Sequence, residues 1–176
     1  MSHPLNGVAA LPHLGVIRVQ GEEAAKFLQG QLTQDFVLLR PDQARLAAFC
    51  TAKGRVIASF IGIRPQPELI LLVCSRDILA PTLKRLSMFV LRAKAKLTDA
   101  TAEFSLYGLA GDALAPLPAS LNEPWSKADV GAAQAIALYP ADGQRRALWV
   151  APADHAAPAG PALALLPLPY LLLADV

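Results

Sequence analysis

The stretch GEEAAKFLQGQLTQDF at residues 21–36 constrains the fold of this chain more than any other. Its apolar residues recur at steps of three and four positions, at Ala24, Phe27, Leu28 and Leu32. This spacing predicts a short amphipathic helix with one face in a core. Gly21 and the glutamates after it predict the helix start, because the helix dipole favours negative charge in the first turn. We expect the helix to end near Thr33 and to leave Asp35 in an exit turn.

Strand-like runs of apolar and β-branched residues surround this helix. The predicted strands are residues 14–19, 36–39, 45–52, 55–63, 69–74, 104–111, 133–138 and 145–151. Lys53-Gly54 and Asp142-Gly143 are typical of the turns that join two antiparallel strands. The sequence therefore predicts hairpins at both positions. Residues 1–13 are predicted to be loop.

A second helix and a basic strand are predicted in the middle of the chain. The helix should begin at Asp77, a reasonable N-cap, and end by about Arg92. Its core-facing stripe is Leu79, Leu83, Leu86 and Val90. Residues 92–98, RAKAKLT, alternate basic and apolar residues, which is typical of a half-exposed strand. Strands interleaved with two helices in this order predict an α+β fold on an antiparallel sheet.

Composition limits the classes of function. Hydrophobic residues make up 54% of the 176 residues and charged residues 17%, which is ample for a core. A net charge of +2 is too balanced to indicate nucleic acid as a partner. The two cysteines, Cys50 and Cys74, favour neither a metal site nor a disulfide framework. We therefore predict no metal and a reducing, cytoplasmic location.

The two ends of the chain carry little targeting information. The start, MSHPLNGV, does not read as a signal peptide. The apolar tail at residues 162–176 is shorter than the roughly 20 residues that span a bilayer, and prolines interrupt it. We expect no membrane partner. The tail is interpreted as a buried strand or as a segment that packs against something else. A large exposed apolar patch usually marks an interface, so a homodimer through this tail is one form that such packing could take.

Three stretches in order carry a resemblance: residues 21–36, then AAFCTAKGRVIASF at 47–60, then LKRLSMFVLRAKAKL at 83–97. They resemble the opening half of the YgfZ-type proteins, relatives of the glycine cleavage T-protein (aminomethyltransferase). The resemblance runs from about Leu11 to about Gly111. The family continues with a KGCYTGQE-like motif, which this sequence lacks. The chain therefore resembles a half-length member.

The resemblance implies a fold, a ligand and a role. The fold would be α+β, with residues 46–99 as a ferredoxin-like insert and residues 1–45 and 100–176 as an incomplete, sheet-forming T-protein-like domain. The ligand and cofactor would be tetrahydrofolate. The role would be to support iron–sulfur cluster assembly or repair. Because the second-half motif is missing, no turnover by this chain alone is expected.

Asp35 is the first candidate site residue. The resemblance implies that the matching aspartate lies beside the reactive nitrogen of the folate, and it makes Asp35 the tentative catalytic residue. A half-buried carboxylate can hydrogen-bond a ring nitrogen. The competing interpretation is a side chain that closes the helix exit through an Asx-type turn.

Four further residues complete the predicted folate site: Gln31, Lys53, Arg55 and Arg92. Gln31 could hydrogen-bond a pterin ring. Lys53-Gly54-Arg55 matches the KGR of the family and could present two cations to a folate glutamate tail, or form a polar hairpin tip. Arg92 begins the basic strand, which could meet the same tail or be a solvated sheet edge.

Two other functions stay open at this point. The first is a folate-dependent one-carbon transferase of the aminomethyltransferase type, with a site completed by dimerisation through the C-terminal tail. The second is an RNA- or protein-binding module that uses the basic strand at residues 92–96 and shows salt-dependent binding.

Overall fold

Residues 5–163, the part of the chain that the computed structural model describes, form two five-stranded antiparallel sheets. The first elements are β1 (Gly7–Ala10), β2 (Leu14–Gln20), α1 (Ala24–Gln31), β3 (Ala44–Cys50), β4 (Val56–Gln66) and β5 (Leu69–Ser75). The remaining elements are α2 (Leu79–Ser87), β6 (Lys96–Asp99), β7 (Phe104–Ala110), β8 (Lys127–Val130), β9 (Ala133–Ala141) and β10 (Gln144–Pro152). The strand orders are β3-β4-β5-β2-β6 and β1-β7-β10-β9-β8.

Helices α1 and α2 cover one face of the β3–β6 sheet. Phe27 and Leu28 of α1 and Leu86 of α2 share a core cluster with Phe60 and Leu72 of the sheet. The face of α1 that this cluster buries is the apolar stripe that the sequence predicts. This packing fixes the position of the residues that follow α1.

The opposite face of the same sheet packs against the second sheet. Leu71 and Val73 of β5 lie in a core cluster with Ile136 of β9 and Leu148 of β10. The other side chains of β5 point to the helices, so the continuous apolar run of this strand is buried on both faces. The sheets therefore meet along β3–β5 and β9–β10.

The predicted α+β fold with antiparallel sheets is confirmed. The turn at Lys53-Gly54 joins β3 to β4, and Asp142-Gly143 joins β9 to β10 with φ of +49° and +71°. Positive φ at both central residues is the geometry that favours Asp-Gly in two-residue hairpins.

Residues 36–39 do not form the predicted strand. The backbone of this loop bonds to side chains instead: Leu38 N–H donates to Asp35 Oδ1 (2.9 Å), and Val37 N–H donates to Gln29 Oε1 (3.2 Å). Phe36 and Leu39 are buried, whereas Val37 and Leu38 are exposed. The apolar run is therefore a loop with two core contacts, which its composition does not distinguish from a strand.

Three further element predictions are wrong in part. Residues 7–10 are strand β1 rather than loop, because they pair with β7 about a hundred positions later. Helix α2 ends at Ser87 rather than near Arg92. The basic stretch 92–98 is a strand only from Lys96, since both backbone polar groups of Lys94 bond to Glu23. The strand β8 was not predicted.

The predicted division into a 46–99 insert and a surrounding domain stays a prediction. The hydrogen-bonded sheets divide the chain at other points. Strand β2 lies between β5 and β6 in the first sheet, so this sheet takes in residues 14–99. The second sheet takes β1 and the strands after residue 103.

Cys74 of β5 gives a pH-dependent prediction. Burial, together with the negative charges of Asp99 and Asp77, raises the pKa of its thiol from 9.0 to about 12. The folded state holds this proton more tightly than the unfolded state does. The stability that Cys74 contributes is therefore complete below about pH 9 and is lost as the pH rises toward about 12.

We expect the free energy of unfolding of the natural chain to fall faster than that of Cys74→Ala above pH 9, by up to about 1.4 kcal/mol per pH unit. Urea denaturation of both proteins from about pH 8 to about pH 11 measures this difference. The difference between the two proteins should change with pH. A constant difference across the range would contradict the prediction.

Candidate functional site

The candidate site begins where α1 ends. Leu32 forms an isolated bridge with Phe49, Thr33 N–H donates to the Ala48 carbonyl (3.0 Å), and Ala48 N–H donates to Thr33 Oγ1 (2.9 Å). These contacts join the C-terminal end of α1 to the last residues of β3. Gln31, the last helical residue, therefore lies near the end of β3 that leads into the Lys53–Arg55 hairpin.

Asp35 lies in the turn after this junction and is half-buried. Its Oδ1 accepts the hydrogen bond from Leu38 N–H, which is the Asx-type turn that the sequence favoured as the competing interpretation. Within residues 5–163, no donor bonds to its Oδ2. One oxygen of Asp35 therefore closes the turn, and the other has no hydrogen-bond donor among the described residues.

A buried aromatic ring fixes this turn. Phe36 is fully buried and lies over Gly62 of β4, where an added Cβ would come within 2.6 Å of Phe36 Cε1. Arg64 Nη1 also donates to the Val37 carbonyl (3.2 Å). The position of Asp35 is therefore set by packing on both sides of the turn.

The Lys53–Arg55 turn is a polar hairpin tip. Thr51 N–H donates to the Arg55 carbonyl (2.8 Å), and Gly54 N–H donates to the Thr51 carbonyl (2.9 Å). Gly54 has a φ of +76°, a backbone conformation that favours glycine. Lys53 and Arg55 are exposed, and neither forms an ion pair with a described residue. Both cations are thus available to an anion.

The cations at 92–96 are all exposed, but they do not lie on one regular strand. Arg92 is exposed in a turn, Lys94 pairs with Glu22 across 2.5 Å, and Lys96 begins β6. The prediction of a regular basic strand over residues 92–98 is wrong in part, since the strand begins at Lys96. The three cations are exposed, and the RNA- or protein-binding alternative is not better supported than the folate hypothesis. The homodimer alternative cannot be placed, because residues 164–176 lie outside the described residues.

A cleft between the two sheets lies beside the turn that contains Asp35, and the sequence did not predict it. We call it the inter-sheet cleft; it has a volume of about 730 Å³, and Gln34, Arg40, Arg45, Glu123, Trp125 and Lys127 are among its lining residues. None of Gln31, Asp35, Lys53, Arg55 and Arg92 lines it. The cleft joins residues about 80 positions apart, and no local pattern in the sequence indicates it.

Two classes of site find no support in the described part of the chain. Among residues 5–163, no group of three or more His, Cys, Asp or Glu side chains could hold a metal ion. Within the same range, no helix has the length and apolar content needed to cross a membrane.

Comparisons with known proteins agree with the resemblance found in the sequence. The chain is 30% identical over 105 residues to the tRNA-modifying protein YgfZ of Hamiltonella defensa, covering 60% of this chain and 31% of that protein. The resemblance to YgfZ-type proteins is confirmed. The partial coverage fits a match to the opening part of a longer protein, as the resemblance implied. No family model matches the chain.

This chain is similar to two further proteins. It is 32% identical over 111 residues to the iron-sulfur cluster assembly factor IBA57 homolog of Mycosarcoma maydis, covering 55% of this chain and 27% of that protein. Its structure matches the glycine cleavage system aminomethyltransferase T of Bartonella henselae with a TM-score of 0.70 at 18% identity, covering 82% of this chain and 41% of that one. The T-protein fold is thereby confirmed. The chain spans about a third of the length of these curated relatives.

Proposed function

We propose that this chain binds tetrahydrofolate and supports iron–sulfur cluster assembly or repair without turnover of its own, in a reducing cytoplasm. The observation that carries the proposal is the sequence similarity to proteins named YgfZ and iron-sulfur cluster assembly factor IBA57. The aminomethyltransferase fold supports a folate as the ligand. The alternative, a one-carbon transferase whose site is completed by dimerisation, is not better supported: the chain is also 30% identical over 122 residues to an aminomethyltransferase, of which it covers 33%.

The residues near the end of α1 fit such a ligand. The open Oδ2 of Asp35 is a hydrogen-bond acceptor for the N–H groups of a pterin ring. Lys53 and Arg55 are unpaired cations at the hairpin tip and suit the carboxylates of a glutamate tail. In the proposal, Gln31 contacts the ring edge, and Arg92 extends the cationic surface for the tail. These residues bind and orient the folate; they supply no chemical step.

Asp35→Asn tests the ring contact. The amide retains an oxygen for the turn, but it lacks the negative charge that Oδ2 offers to a ring N–H. We expect tetrahydrofolate to bind about tenfold more weakly or worse, because a hydrogen bond to a charged group contributes about 1.5–3 kcal/mol. Isothermal titration calorimetry of both proteins measures the change.

Asp112→Asn is the matched control, because Asp112 lies after β7 and bonds to Asn6 rather than to the α1 turn. It should leave the affinity for folate unchanged. Equal affinity in the natural chain and in Asp35→Asn would remove Asp35 from the site. No heat from a chain whose circular dichroism shows it to be folded would overturn folate binding by this chain.

A further inference from the structure

The inter-sheet cleft contains a cation that the fold leaves unpaired. Arg45 lies near the start of β3 and lines the cleft. Its Nε is buried, and none of the described residues accepts a hydrogen bond from it. A buried donor without an acceptor is unfavourable and is rare in folded proteins. Within residues 5–163, no carboxylate forms an ion pair with the rest of its guanidinium either, so its charge is available to an anion from outside the chain.

The other cations of the cleft already have partners. Arg40 contacts Asp42 through two hydrogen bonds of 2.9 and 2.7 Å. The Nζ of Lys127, whose side chain is 1% exposed, contacts Asp129 Oδ1 at 2.7 Å. Of the cations that line the cleft, Arg45 is therefore the one without an ion-pair partner among the described residues. Its planar guanidinium suits a carboxylate.

The walls of the cleft are held by backbone hydrogen bonds between the sheets. Ala44 N–H donates to the Trp125 carbonyl (2.8 Å), and Lys127 N–H donates to the Asp42 carbonyl (2.8 Å). Trp125 N–H in turn donates to the Ala137 carbonyl of β9 (2.8 Å). The backbone beside Arg45 is thus bonded directly to Trp125, so a ligand would meet walls whose backbone is already held in place.

We propose that the inter-sheet cleft binds a small molecule that carries one carboxylate on a flat apolar body. The guanidinium of Arg45 receives the carboxylate, and Trp125, Pro124 and Leu46 contact the body. The volume of about 730 Å³ is within the range of small-molecule sites. Carboxylates of Asp42, Asp129 and Glu123 line the same cleft, which disfavours a dianion such as phosphate.

This site is separate from the proposed folate site. None of the residues assigned to the folate lines the cleft, and the cleft residues Arg45 and Trp125 have no part in the folate proposal. The folate proposal and the cleft proposal are therefore tested by different measurements. Loss of folate binding in Asp35→Asn says nothing of Arg45, and the reverse also holds.

The test is a nuclear magnetic resonance titration of the full chain with benzoate, followed at the Nε–Hε resonance of Arg45 and the backbone amides of residues 125–127. Benzamide, the neutral analogue, and inorganic phosphate are titrated in parallel. We expect saturable shifts with benzoate and at least tenfold weaker binding of benzamide, because a hydrogen-bonded ion pair is lost.

Arg45→Gln should weaken benzoate binding at least tenfold, whereas Arg40→Gln should change it less than threefold, since Arg40 is already paired. The natural chain with benzoate and benzamide decides the proposal even if a variant does not fold. Equal shifts with benzamide, tighter binding of phosphate, or equal losses in the two variants would each overturn it.

Discussion

Phe36→Ala is expected to lower the free energy of unfolding by about 3–5 kcal/mol, the largest loss predicted for a single side chain here. Phe36 is fully buried, and it lies in the same core cluster as Phe27 and Leu28 of α1 and Phe60 of β4. Removal of the ring leaves a cavity between α1 and the sheet. Urea denaturation, with the midpoint and the slope fitted separately, measures the loss.

Val37→Ala is the matched control, because Val37 is the next residue of the same loop and is 48% exposed. Its effect should stay within about 0.5 kcal/mol. Gly62→Ala tests the same contact from the side of the sheet, because the added methyl group would clash with the Phe36 ring. A loss below about 1 kcal/mol in Phe36→Ala would show that the loop is not held by this ring.

The loop also shows why the sequence predicted some elements and not others. FVLL is apolar enough for a strand, yet two of its four residues face solvent. What makes it a loop is a set of side-chain bonds from Gln29, Asp35 and Arg64 to its backbone. The periodicity of α1 and the Asp-Gly hairpin are local signals, and the sequence carries them. Bonds from a residue 27 positions away are not local.

The same distinction applies to the candidate sites. The Asx-type turn of Asp35 and the hairpin of Lys53–Arg55 each lie within a few residues, so their local geometry could be predicted. The inter-sheet cleft depends on the pairing of Gln43 with Ser126, which brings Arg45 near Trp125. Nothing in either segment alone indicates this pairing. The sequence around Arg45 therefore does not indicate that this residue lines a cleft.

Gly21→Ala is expected to destabilise the chain by about 3 kcal/mol. Gly21 has a φ of +138°, which L side chains rarely adopt, and an added Cβ would lie 2.1 Å from the Lys94 carbonyl oxygen. The strain of the backbone contributes about 1–2 kcal/mol and the overpacking about 1–3 kcal/mol. The clash cannot relax by a side-chain rotation, because its partner is backbone.

Gly30→Ala is the matched control and should have the opposite sign. Gly30 lies inside α1 with nothing within 4 Å of an added Cβ, so alanine should stabilise the helix by about 0.5–1 kcal/mol. Thermal and urea unfolding of both variants measures the contrast. The start of α1 is held to residue 94 through Gly21, Glu22 and Glu23, and Gly21→Ala must move one of the two segments. Equal stability of the two variants would mean that the segments around Gly21 and Lys94 can move apart without loss of free energy. Helix α1 would then not be fixed relative to β6.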